Sequence, residues 1–156
     1  PENRWRRAFI EAPYLWDGFV RLGVIFDTFE TATTWDRFPA LHEAIYDEVS
    51  AAMDRACGTG YLSCRFTHVY PDGPAPYYTF LAPADRGREL EQWREIKATA
   101  SEVLMDHGAT ITHHHAVGRV HQEWYARESR DFQDTLRAVK DVFDPAGVMN
   151  PGVLVE

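Results

Sequence analysis

The chain of 156 residues has little cysteine, a shortage of positive charge and no long apolar run. Its two cysteines, Cys57 and Cys64, make neither a disulfide framework nor a CxxC metal site, and both read as small buried apolar residues. A reduced, cytoplasmic protein is the default expectation. Sixteen Lys and Arg stand against 24 Asp and Glu, a formal net charge of -8 with a pI near 5.3. That balance excludes the basic footprint that non-specific nucleic-acid binding needs. No apolar run approaches the roughly 18 residues of a membrane span, so no transmembrane segment is expected, although a membrane-peripheral position stays open. Internal repeats, low-complexity linkers and a secretory leader pattern are also missing. The sequence opens at Pro1 with "NRWRRAFIEAPY", as if in mid-protein, and is expected to be a piece of something larger.

What is present is a globular composition, 45% hydrophobic and 13% aromatic. The first fifteen residues read as a short helix with Trp5, Ala8 and Phe9 on one face, ending near Pro13. Residues 19–30 are rich in β-branched and aromatic side chains and predict a strand. Residues 36–58 predict a helix, with Asp36 as cap, Pro39 in the first turn, Leu41, Ile45, Val49 and Met53 at helical spacing and Gly58 as stop. Residues 61–70 alternate, with Leu62, Cys64 and Phe66 on one face and Ser63, Arg65 and Thr67 on the other. "PDGPAP" (71–76) is turn chemistry, and 77–82 is the returning strand. Residues 87–108 predict a second amphipathic helix, with Leu90, Trp93, Ile96, Ala100 and Val103 inward and Gly108 at its end. Residues 109–115 are expected as a fourth strand, and a helical tail runs from about Val120 to Phe143. The order β-α-β-β-α-β predicts an α+β fold of the ferredoxin-like kind, an antiparallel sheet with helices on one face. The expected segments are a lead-in (1–18), a ferredoxin-like domain (19–118) and a tail (119–156).

"TITHHHAVGR" (110–119) carries three consecutive histidines. In a strand, His113 and His115 share a face while His114 points the other way. Three histidines so placed cannot hold one metal, and His42, His68, His107 and His121 show no ligand spacing with them, so no metal is expected. An acid/base or anion-binding cluster fits better, because imidazole titrates near neutrality. Gly118 lets the backbone approach a ligand, and Arg119 can neutralise an anion. Arg65 reads either as an anion clamp or as a surface arginine on the open sheet face. Glu30 and Asp36 are candidates to orient a histidine.

"GATITHHHAVGR", "FETATTWDR", "CRFTHVYPDG" and "FDPAGVMNPG" together resemble the C-terminal portion of FAD-linked oxidases of the vanillyl-alcohol-oxidase type. Within that superfamily they look most like the alkylglycerone-phosphate synthases. The resemblance runs from about Pro13 to Val155. It implies an FAD cofactor bound mainly by an N-terminal domain absent from this chain, which has no glycine-rich phosphate cradle. It further implies a cap or substrate role for these residues, a tail that returns to the flavin with Asn150 as a cofactor contact, and no activity for this chain alone. The implied reaction exchanges the acyl chain of acylated dihydroxyacetone phosphate for a long-chain alcohol, an ether-lipid step without net redox change at the flavin. His113, His114 and His115 are then catalytic, and the family's acid/base tyrosine maps onto Tyr78, with Tyr77 as the near alternative.

One position departs from the family pattern. Where those enzymes place an arginine that helps hold the substrate, this chain has Trp16, which cannot pair with a phosphate. Oxidation or dehydrogenation of a hydroxy acid or alcohol is therefore the alternative activity. A stand-alone ferredoxin-like module for ligand binding or dimerisation is the alternative outside enzymes. The expected partners are a lipid-like or hydroxy-acid small molecule and the chain's own FAD-binding domain, and a homodimer is compatible with the sequence.

Overall fold

A computed structural model describes residues 4–155. Helix α1 (Arg4–Arg21) runs through Pro13 instead of stopping there, so the lead-in is one long helix that crosses the expected boundary at residue 18. The predicted face of Trp5, Ala8 and Phe9 lies outside the described side chains. Strand β1 (Val24–Glu30) consequently starts five residues later than expected, after a turn at Gly23.

Helix α2 (Phe38–Cys57) follows. Its apolar positions Leu41, Ile45, Val49 and Met53 are all buried, and Gly58 ends it in the left-handed region at φ 78°. Asp36 is not its cap, because the helix starts after Arg37 without a side-chain cap. Strands β2 (Tyr61–Val69) and β3 (Pro74–Pro83) form the hairpin, with β3 longer than expected because it takes up Pro74–Pro76 of the predicted turn. Gly73 in that turn has no room for a side chain: a Cβ there would lie 1.9 Å from the Thr33 carbonyl oxygen. Helix α3 (Glu89–Asp106) buries Ile96, Ala100 and Val103, half-buries Trp93 and leaves Leu90 exposed, against expectation. The tail forms α4 (Gln122–Glu128) and α5 (Arg130–Phe143).

The sheet is antiparallel in the order β1-β3-β2. Both α2 and α3 cover one face, where Ile25, Phe29, Leu62, Tyr78 and Phe80 join the helical side chains in a single core. The α+β class, the antiparallel sheet and the helical tail are as expected. The fourth strand is not: residues 109–115 make no ladder with β1. They begin beside its end, where the Thr110 N–H donates to the Ala32 carbonyl at 3.1 Å and Ile111 plugs the core. Then they curl. The N–H groups of His113, His114 and His115 all point to one carboxylate oxygen, which a pleated strand with alternating N–H directions cannot do.

Candidate active site on the open sheet face

Register decides what the uncovered face carries. Glu30 pairs with Tyr77, Thr28 with Thr79, Arg65 with Tyr77 and Ser63 with Thr79, so these six side chains share the face away from α2 and α3. Strict alternation would put His68 on the covered face. A β-bulge between Phe66 and His68, opposite Pro76 and Ala75, inserts Thr67 and turns His68 to the open face. Pro76 brings no N–H to the ladder at that level, so the bulge forfeits little there.

Glu30 organises the histidine segment. It is 2% exposed. Its Oε1 accepts from the Thr112 hydroxyl at 2.6 Å and from the N–H groups of His113, His114 and His115 at 2.7, 2.7 and 2.9 Å. Burial works to raise its pKa, but the Thr112 hydroxyl and the three amides outweigh it and hold the carboxyl at about 2. Its Oε2 lies 3.0 Å from Nδ1 of His114 and 3.7 Å from Nδ1 of His113, yet no N–H is aligned on it and it is sealed from water. The chain leaves this turn through Ala116 in the left-handed region at φ 67°, a strained position for a residue with a Cβ.

The rings gather around this turn. Nδ1 atoms of His113 and His114 are 3.2 Å apart, and the Tyr70 hydroxyl reaches Nε2 of His113 at 3.2 Å. The His68 ring stacks on Tyr70 and meets His113 edge-on at 5.0 Å. Tyr77 completes the set: its ring lies 6.3 Å from that of His114 and 5.1 Å from that of His115, with the Arg65 guanidinium 4.6 Å above it and its hydroxyl donating to Thr28 at 3.1 Å. Burial, opposed by Glu30, lowers the pKa of His115, so at neutral pH it is an uncharged base.

The predicted residues divide. His113, His114, His115 and Arg65 meet at one place, and Glu30 does orient the run, whereas Asp36 is exposed on the loop before α2. Tyr78 does not join them. It faces the core with no exposure, stacks on Phe29 at 4.9 Å and bonds Nδ1 of His42 at 3.0 Å. Burial pushes its phenol far above the ordinary range. The register places Tyr77 at the histidines instead. Trp16 packs edge-on against Phe26 and lines an apolar groove of about 460 Å³ with Val20, Val24, Leu90 and Trp93. Arg119 donates to the Pro151 carbonyl at 2.8 Å and so ties down the tail, and Asn150 sits in that tail's turn at φ 46°. Residue spacing missed His68, Tyr70 and Thr112, because neither a bulge nor a curled loop has a periodic signature.

Fold and site define a class: an α+β domain with one sheet face sealed by helices and the other presenting a histidine–tyrosine–arginine set. The chain belongs to the family described as FAD linked oxidases, C-terminal domain, which it matches over residues 3–154. It is 27% identical over 99% of its length to an alkyldihydroxyacetonephosphate synthase of Trypanosoma brucei brucei, and 30% identical over 92% to one of Caenorhabditis elegans. At 21% over 81% of its length it is similar to the uncharacterized FAD-linked oxidoreductase YgcU of Escherichia coli K12. The chain spans about a quarter of these relatives (25%, 25% and 27%). A solved alkyldihydroxyacetonephosphate synthase structure superposes with a TM-score of 0.68 at 19% identity, covering 97% of this chain and 24% of that one, and so supports the fold.

Proposed function

We propose that this chain is the substrate-facing cap domain of a flavoenzyme that exchanges the acyl chain of an acylated dihydroxyacetone phosphate for a long-chain alcohol. The observation that carries the reading is the Glu30-held turn, which sets His114 and His115 against Tyr77 on the open face. That arrangement suits removal of a proton from a carbon beside a carbonyl: neutral His115 accepts, and the Tyr77 hydroxyl relays. Arg65 and the histidine ring nitrogens offer donors to an anionic substrate. The residues present fit a flavin-bearing domain as neighbour, since Arg65 and His114 stand exposed on the face that α2 and α3 leave uncovered. FAD, held chiefly outside this chain, supplies an electron-accepting ring when bound. On this side the open-face groups and Asn150 of the tail would meet it. The test is the full-length protein with FAD, acyl-dihydroxyacetone phosphate and a fatty alcohol. Ether product that is lost in His114→Ala supports the reading, and a full-length protein that binds no flavin ends it.

The second reading is an FAD-linked dehydrogenation of a hydroxy acid or alcohol. Trp16 favours it, because an indole packed on Phe26 offers no cation to a phosphate. Bleaching of the flavin by a hydroxy acid, with no ether product, would select it.

A further inference from the structure

A carboxylate stands among the core positions of β1. Ile25, Asp27 and Phe29 alternate onto the covered face, and Asp27 is as buried as its apolar neighbours. Its partner is Lys97 of α3, equally buried, with Nζ 3.3 Å from Oδ2. A buried ion pair is poor evidence of added stability, because apolar residues of similar size often do as well or better. We propose that Asp27 and Lys97 are positioning residues for the open face: they fix Thr28, whose hydroxyl holds Tyr77, and they close the edge of β1 so that the histidine segment must curl. The effect on turnover rests on the reading of Tyr77 as a proton relay, whereas the effect on the histidine turn does not.

The pair grips Thr28 by its main chain. The Thr28 N–H donates to Oδ1 of Asp27 at 2.7 Å, and its carbonyl accepts from Nζ of Lys97 at 2.8 Å. Nε1 of Trp93 donates to Oδ2 of Asp27 at 2.8 Å, so both carboxylate oxygens are committed and the carboxylate is held to α3. The Thr28 side chain points to the opposite face, where its hydroxyl accepts from Tyr77 at 3.1 Å. The Tyr77 ring in turn lies 5.1 Å from that of His115. Thr28 is therefore held from the sealed side and engaged on the open side, and a turn of its peptide would carry the hydroxyl away from Tyr77.

The same bonds account for the missing fourth strand. β1 is an edge strand, and every second residue of an edge strand turns its N–H and C=O away from its partner. The segment after α3 starts along that edge at Ala32, whose carbonyl accepts from the Thr110 N–H and whose N–H donates to the Thr110 hydroxyl at 2.8 Å. It then runs back past Glu30, and the next outward pair on the two-residue period belongs to Thr28. Those two groups are already taken by Asp27 and Lys97. A ladder has no rung to continue on, and the amides of 113–115 turn onto Glu30 instead.

The experiment uses full-length protein carrying Asp27→Asn with Lys97→Met, which leaves no charge buried alone and keeps the melting temperature within about 5 °C of the parent. Hydrogen exchange at the amides of 113–115 should quicken at least about tenfold in this variant, while β3 keeps its protection. With FAD, acyl-dihydroxyacetone phosphate and a fatty alcohol, kcat should fall at least about tenfold and KM stay within about twofold. Added to Tyr77→Phe, the same pair of changes should cost no more than about twofold further, because both act through one hydroxyl. Asp27→Asn with Lys97→Gln, which returns an uncharged donor toward the Thr28 carbonyl, should recover kcat to within about threefold of the parent. Unchanged exchange at 113–115 in the folded variant overturns the proposal. So does a loss of turnover repeated in full on top of Tyr77→Phe, or undiminished turnover where Tyr77→Phe alone is slow. A Tyr77→Phe enzyme as fast as the parent defeats the relay reading instead, and exchange at 113–115 then decides the positioning claim by itself.

Discussion

The two faces of one small sheet follow different rules. On the covered face, Phe29, Tyr78 and Phe80 are sealed under α2 and α3, and the polar tip of Tyr78 is satisfied by His42. On the open face, one residue earlier in the same strand, Tyr77 lies under Arg65 and beside two histidines. Adjacent tyrosines of identical chemistry thus lie in the packed core and on the open face respectively, and strand parity alone places them. The open face has its own anchor, a buried carboxylate that replaces a hydrophobic layer as the thing its loop folds around.

The contrast can be broken most severely from the covered side. Phe80→Ala should cost about 3–5 kcal/mol in denaturant unfolding, since it removes a wholly buried ring from the core. Glu30→Ala should cost about 3 kcal/mol, because it orphans a hydroxyl and three amides, and hydrogen exchange should then show the amides of 113–115 unprotected while those of β3 stay protected. Tyr78→Phe should cost about 1 kcal/mol, the bond to His42. Tyr77→Phe should change stability by less than about 0.5 kcal/mol, as expected of a partly exposed hydroxyl.

A milder test uses pH. Burial, with Lys97 nearby, lowers the pKa of His121 from an ordinary 6.5 to about 4. The unfolded chain therefore binds the proton first. The stability that His121 contributes is complete above pH 6.5 and declines as pH falls through about 4, which a series of melts of the parent and His121→Phe should resolve.

Much of the covered face was legible in the sequence. Leu41, Ile45, Val49 and Met53 repeat at helical spacing, and their burial follows from that pattern. Local stops such as Gly58 were equally readable. The helix through Pro13 was not, because a proline within a run is compatible with either an end or a continuation. The open face was legible in composition but not in geometry. Three histidines and the FETATTWDR stretch pointed to a candidate site, while the missing fourth strand, the bulge that turns His68 and the placement of Tyr77 rather than Tyr78 on the open face depend on pairing register and on one distant carboxylate. Those are long-range facts with no local period.

The central claim is that chemistry belongs to the open face, and the tyrosine pair tests it most directly. In full-length protein loaded with FAD, ether-forming turnover of acyl-dihydroxyacetone phosphate should fall at least about 100-fold in Tyr77→Phe, the scale of a lost acid/base group, and stay within about twofold of the parent in Tyr78→Phe. Turnover abolished by Tyr78→Phe and untouched by Tyr77→Phe would contradict the account.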